Sequence, residues 1–212
     1  MPKSPRIFIT GLANSGTTWA TNLLAACGLD AGTAKSGLRH GMEWQPLRTL
    51  AVELHDFLGG TERHAEVIRE YAGRIAALDC PELVKLPWVA SLDVILQTLT
   101  PQFVVVVTRP LKSRARRIWA AEPWLRGLGF DEVVAQCATE FGYCMDVVEI
   151  SEIPYAMLRY PRGAYQPEYA YQCVGELCGV SWERFRAAHQ EVTRMDWVDY
   201  AATTFQGNTP EA

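Results

Sequence analysis

The chain has 212 residues, 49% of them hydrophobic, which suits one well-buried α/β domain and is too short for two comfortable ones. Its formal net charge of −4 argues against general nucleic-acid affinity, because such binders present a net basic face to the phosphate backbone, so any anion site must be local. No run approaches the roughly eighteen apolar residues of a spanning helix, and Met1-Pro2-Lys3-Ser4-Pro5-Arg6 leads into a strand without a signal peptide's apolar core. No membrane span and a cytoplasmic location are expected. The six cysteines (Cys27, Cys80, Cys137, Cys144, Cys173, Cys178) stand singly, as buried free thiols in a reducing compartment would.

The first element is an apolar strand, about Arg6 to Thr10, that runs into Gly11-Leu12-Ala13-Asn14-Ser15-Gly16 and then into a helix over about Thr17 to Ala26, ended by Gly28. Glycines five apart let the backbone fold back so that successive N–H groups and the helix N-terminus converge on one anion. The amides of Ser15, Gly16, Thr17 and Thr18 and the two threonine hydroxyls are the expected phosphate donors. The spacing matches GxxxxGK[ST], but Thr17 stands where a nucleoside triphosphatase carries its lysine. A plain glycine-rich turn is the alternative, disfavoured because strand, loop and helix follow in the required order.

Residues 30 to 45 are expected to loop over the carboxyl edge of the sheet, where ligands sit in open α/β folds. His40 and Glu43, three apart, are candidate general bases there, and Trp44 and Trp88 could line an acceptor pocket or pack in the core. A helical region from about Leu47 to Leu78 is interrupted near Gly59-Gly60, with Thr61 or a neighbour capping its second piece. Glu82 to Leu86 reads as a short strand stopped by Pro87, with Lys85 at its end, and Ser91 to Leu99 as a helix.

Phe103 to Val107, four of its five residues valine, has the pattern of a central strand buried on both faces of a parallel sheet. Arg109 follows it and would emerge at the carboxyl edge, able to grip a phosphate bidentately. Leu111 to Trp119 is a basic helix bearing Lys112, Ser113, Arg114, Arg116 and Arg117, a cluster that a solvated face also explains. A long amphipathic helix (Asp131 to Ile150), a strand (Pro154 to Arg159) and helices over Glu168 to Cys178 and Trp182 to His189 complete the chain. A single domain over 1–205 and a frayed tail over 206–212 are expected. His55, His64 and His189 fit no zinc spacing, and no metal is assigned.

Ser15-Gly16-Thr17-Thr18-Trp19 resembles the phosphosulfate loop of the sulfotransferases, usually KSGTT or RSGTS. The resemblance continues through Leu23-Leu24-Ala25-Ala26-Cys27-Gly28, Gly41-Met42-Glu43-Trp44, Val84-Lys85-Leu86-Pro87, Val104 to Pro110 and Tyr160-Pro161 to Gly179. It implies a three-layer α/β/α, P-loop NTPase-like sulfotransferase fold with a central parallel sheet. It implies transfer of a sulfuryl group from 3′-phosphoadenosine 5′-phosphosulfate (PAPS) to a hydroxyl or amine of a small-molecule or glycan acceptor, with 3′-phosphoadenosine 5′-phosphate (PAP) as product. Asn14, Ser15, Gly16, Thr17, Thr18 and Trp19 would then hold the donor, with Arg109 on its 3′-phosphate and Glu43 or His40 as base.

Two signature positions depart from the family. Asn14 stands where a basic residue contacts the sulfate's bridging oxygen, and Lys85 is the candidate substitute, or else an exposed lysine at a strand end. Arg117 stands where a serine usually completes the 3′-phosphate site, and Ser113 or Arg117 itself would replace that contact. The competing functions are a P-loop small-molecule kinase and a catalytically inactive nucleotide-binding protein of the same fold. The acceptor and the oligomeric state, a homodimer included, are open.

Overall fold

The computed structural model describes residues 3–32, 43–58, 65–87, 90–122, 125, 127–177 and 179–193. Four strands, β1 (Ile7–Thr10), β2 (Leu83–Lys85), β3 (Phe103–Thr108) and β4 (Tyr155–Arg159), form one all-parallel sheet in the order β2-β1-β3-β4. In register, Ile7 lies between Leu83 and Phe103, and Val104 faces Tyr155. β1 and β3 are interior strands, as the valine run requires, and every described strand is joined to the next through helix.

The period-2 alternation sends side chains to two separate cores. Phe8, Val84, Val104 and Val106 face α2 (Gln45–Leu58), α3 (Ala65–Ala76), α4 (Leu92–Leu99) and the C-terminal half of α6 (Phe130–Ile150). Ile7, Ile9, Leu83, Val105 and Val107 face α1 (Thr17–Ala26) and α9 (Trp182–Val192). α5 (Leu111–Ala121) packs on α6 through a third cluster built from Ala115, Leu125, Val133 and Cys137. This is an α/β fold, a four-stranded parallel sheet flanked by helices.

Most expected elements appear within two residues of the expected ends. The segment after β4 differs in detail: a short α7 (Arg162–Tyr165) comes first, and the helix expected over Glu168 to Cys178 begins as α8 (Pro167–Ala170) and runs on as a π-helical turn, Tyr171–Gly175. Glycine permits that turn, because a Cβ on Gly175 would overlap the Tyr171 ring, which lies across it and meets Trp182 and Phe185 edge-on at 5.3 Å. The loop segment 33–42 with His40, the Gly59-Gly60 break with Thr61 and His64, Trp88, Cys178 and the 205/206 boundary lie outside the described residues. Cys27, Cys80, Cys137, Cys144 and Cys173 are free thiols, and burial pushes Cys80 and Cys144 up to about 11. No helix among the described residues is long and apolar enough to cross a membrane.

Candidate functional site

In a parallel sheet all strands end on one edge, so Thr10, Lys85, Arg109 and Tyr160 are delivered together to the mouth of the loop after β1. Two glycines set the loop's path. Gly11 (φ +136) passes so close to β3 that a Cβ would overlap the Val107 carbonyl oxygen, and Gly16 (φ +96) lies under Tyr160, where a Cβ would come within 2.8 Å of that residue's own Cβ. Asn14, between them, is left-handed at φ 66. Gly16 is the N-cap of α1 and supplies no side-chain cap, which leaves the first-turn N–H groups of that helix to other partners.

The carbonyls of the loop are tied outward by arginines. Arg109 Nη1 donates to Asn14 O at 3.2 Å, Arg114 Nε to Ala13 O at 3.1 Å, and Arg117 Nε to Asn14 Oδ1 at 3.2 Å. Arg114 also pairs with Glu140 of α6 at 2.8 Å. Arg109 is buried, and its guanidinium carbon sits 4.9 Å from the Tyr160 ring centroid. Burial lowers Arg109 below the ordinary guanidinium range, with Tyr160 acting against that shift and the like charge of Arg117 adding to it.

A further cation comes from β2. Lys85 is 3% exposed, and its Nζ donates to Thr18 Oγ1 at 2.9 Å and lies 3.5 Å from Glu43 Oε1. Glu43, 2% exposed, also has Arg48 Nε 2.8 Å from its Oε2, a close ionic contact whose N–H is not aimed at the oxygen, so it is electrostatic rather than directional. Burial pushes Lys85 below the ordinary ammonium range, and the Glu43 carboxylate opposes the shift.

Among the residues expected to bind a ligand, the structure brings together Asn14, Gly16, Thr17, Thr18, Lys85, Arg109 and Arg117, with Glu43 beside Lys85. The alternative of an exposed lysine at a strand end does not hold for Lys85, which is buried, as is Glu43. Ser15 is buried, and its N–H donates to Leu12 O at 3.1 Å within the loop's own turn, so that amide is already engaged. Trp19 packs against Tyr160 and His189 at 5.8 and 5.9 Å, and its Nε1 donates to Thr193 Oγ1. Ser113 is half-buried on α5. Trp44 belongs to the core on the α2 face. Among the described residues no group of three or more His, Cys, Asp or Glu side chains is placed to hold a metal.

Three contributors are given no role in this site by the sequence reading: Arg48, Arg114, named there only within the basic cluster, and Tyr160, named only within a resembling segment. Tyr160 follows the last strand by one residue, the same strand-end position that singles out Arg109. Arg114 shares a helical stripe with Leu111, Ala115 and Ile118 at spacings of three, four and seven, so its inward phase was present in the pattern. Nothing in the sequence points to Arg48. Comparison with protein-family models and with curated proteins gives no match.

Proposed function

We propose that this chain is a sulfotransferase that uses PAPS, with the P-loop-like fold of that family, and transfers a sulfuryl group to a hydroxyl or amine. The observation that carries this reading is the convergence of Lys85, Arg109 and Arg117 on a glycine-bounded loop at the N-terminus of α1. The loop amides and α1 would take the 5′-phosphate, and Arg109 with Arg117 the 3′-phosphate. Lys85, fixed on Thr18, would face the bond that breaks, in the role left vacant by Asn14. The donor supplies an SO₃ unit on a phosphate leaving group. The chain's own residues orient that phosphate and neutralise the charge it gains as it departs.

A kinase reading is disfavoured on particular residues. In P-loop NTPases the hydroxyl at the Thr18 position goes to magnesium, whereas here it accepts from an ammonium. β3 ends in Thr108 and is followed by Arg109, with no acidic residue at that position. The binding-protein reading draws on Glu43, whose carboxylate is occupied by Lys85 and Arg48 and is poorly placed to take an acceptor's proton. His40, the other base read from the sequence, lies outside the described residues.

A thermal-shift panel of PAP, ATP with magnesium and GTP with magnesium separates these readings, because a ligand that binds only the native state raises Tm by mass action. The sulfotransferase reading expects the largest shift with PAP, together with sulfate transfer from PAPS to some member of a panel of phenols, amines and sugars. PAP binding without transfer supports the inactive binding protein, and a shift with ATP alone overturns the proposal.

A further inference from the structure

Glu43 stands just ahead of α2 and reaches the cradle through Lys85, 3.5 Å away. Removing an ammonium from water costs several kcal/mol, and the charge survives burial only beside a counter-charge. Among the described residues, Lys85 meets Thr18 from α1 and Glu43 from the segment before α2, with Arg48 of α2 behind that carboxylate and Ile9 paired alongside on β1. Glu43 is the one anion in this set. A general base needs an oxygen within reach of the acceptor's proton, whereas each Glu43 oxygen lies against a cation and the side chain is buried.

We infer that Glu43 is a positioning residue, whose carboxylate keeps Lys85 cationic and drawn against Thr18 at the mouth of the cradle instead of accepting the acceptor's proton. The inference rests on the reading of Gly11 to Gly16 as an anion cradle. Burial of Lys85 and the opposing pull of Glu43 point the same way, since loss of the carboxylate leaves desolvation unopposed.

The test is sulfate affinity as a function of pH, measured on the full chain. Sulfate stays a dianion throughout the range, so any alkaline loss belongs to the protein. The wild type should bind below the Lys85 titration and release sulfate as pH rises through it. Glu43→Gln should move that step down by about one pH unit or more, with affinity at lower pH retained, and Glu43→Asp should restore it. Lys85→Gln should bind roughly tenfold more weakly and lack the step. Arg48→Gln releases Glu43 to Lys85 alone and should move the step up, which carries the test if Glu43→Gln fails to fold. An unmoved step in Arg48→Gln, or a wild-type pH profile in Glu43→Gln accompanied by lost sulfate transfer, overturns the inference and returns Glu43 to the role of base. Absence of sulfate binding to the wild type at any pH overturns the cradle reading itself and this inference with it.

Discussion

Asn14 Oδ1 accepts a hydrogen bond from Arg117 Nε at 3.2 Å, so the two positions that depart from the sulfotransferase signature touch each other. The backbone carbonyl of the same asparagine holds Arg109. At φ 66 Asn14 occupies the left-handed region, which asparagine tolerates better than lysine or arginine. A single loop residue therefore anchors two guanidiniums, and the charge absent from the loop stands beside it on α5.

This relationship splits binding from turnover. Asn14→Lys should keep turnover at or above wild type, because a charge placed where the transition state develops its own lowers the barrier. The same change removes the side-chain anchor of Arg117, which offsets the attraction of the added charge, so PAP affinity should rise little or not at all. Asn14→Ala should cost about 0.5–1.5 kcal/mol of PAP binding, the worth of an ordinary hydrogen bond. Titration of both variants with PAP, paired with initial rates, checks the split. Unchanged PAP affinity in Asn14→Ala would remove Arg117 from the site.

The two loop glycines should fail differently. Gly11→Ala combines a positive φ with overlap onto the Val107 carbonyl, a backbone atom of an interior strand that cannot step aside. A destabilisation on the order of 3 kcal/mol is expected in urea unfolding. At Gly16 φ is also positive, and the obstacle is the near end of the Tyr160 side chain, its Cβ and Cγ, which ring rotation alone does not clear. Gly16→Ala should therefore cost stability too, and it should add a loss of ligand affinity, since displacing Tyr160 also disturbs Arg109 above its ring.

Arg114 ties Ala13 O to Glu140 and so links the cradle to α6. Arg114→Met keeps most of the buried stem and should lose about 1–2 kcal/mol of stability, with little of it from the ion pair because Glu140 is partly exposed. PAP affinity should fall as well, since the freed carbonyl can turn toward the anion. A stability loss with unchanged affinity would reduce Arg114 to holding α5 on α6. Arg114→Lys should rescue poorly, because one ammonium cannot reproduce the fork that serves two acceptors.

Much of this architecture was legible because burial on both sheet faces writes itself as Ile7-Phe8-Ile9 and the valine run of β3, while the glycine spacing marks the loop. Lys85 and Arg109 were legible for the same reason: each ends a buried strand of a parallel sheet. Long-range partners were not. The approach of Arg48 to Glu43 and the overlap of Tyr160 on Gly16 depend on how separate elements dock, which no local period encodes. The helix expected over Glu168 to Cys178 is present from Pro167, but its π-turn was not legible, because a pattern of helical spacing does not distinguish an α-turn from the wider π-turn that fits Tyr171 over Gly175.

The most direct measurement is calorimetric titration of wild type and Arg109→Ala with PAP and with adenosine 5′-monophosphate. The account predicts that the wild type binds PAP at least tenfold more tightly than the monophosphate. Arg109→Ala should lose about 2–5 kcal/mol of PAP binding, the cost of removing one partner from a buried charged contact, and should bind the monophosphate nearly as before. Equal wild-type affinity for the two nucleotides would contradict it.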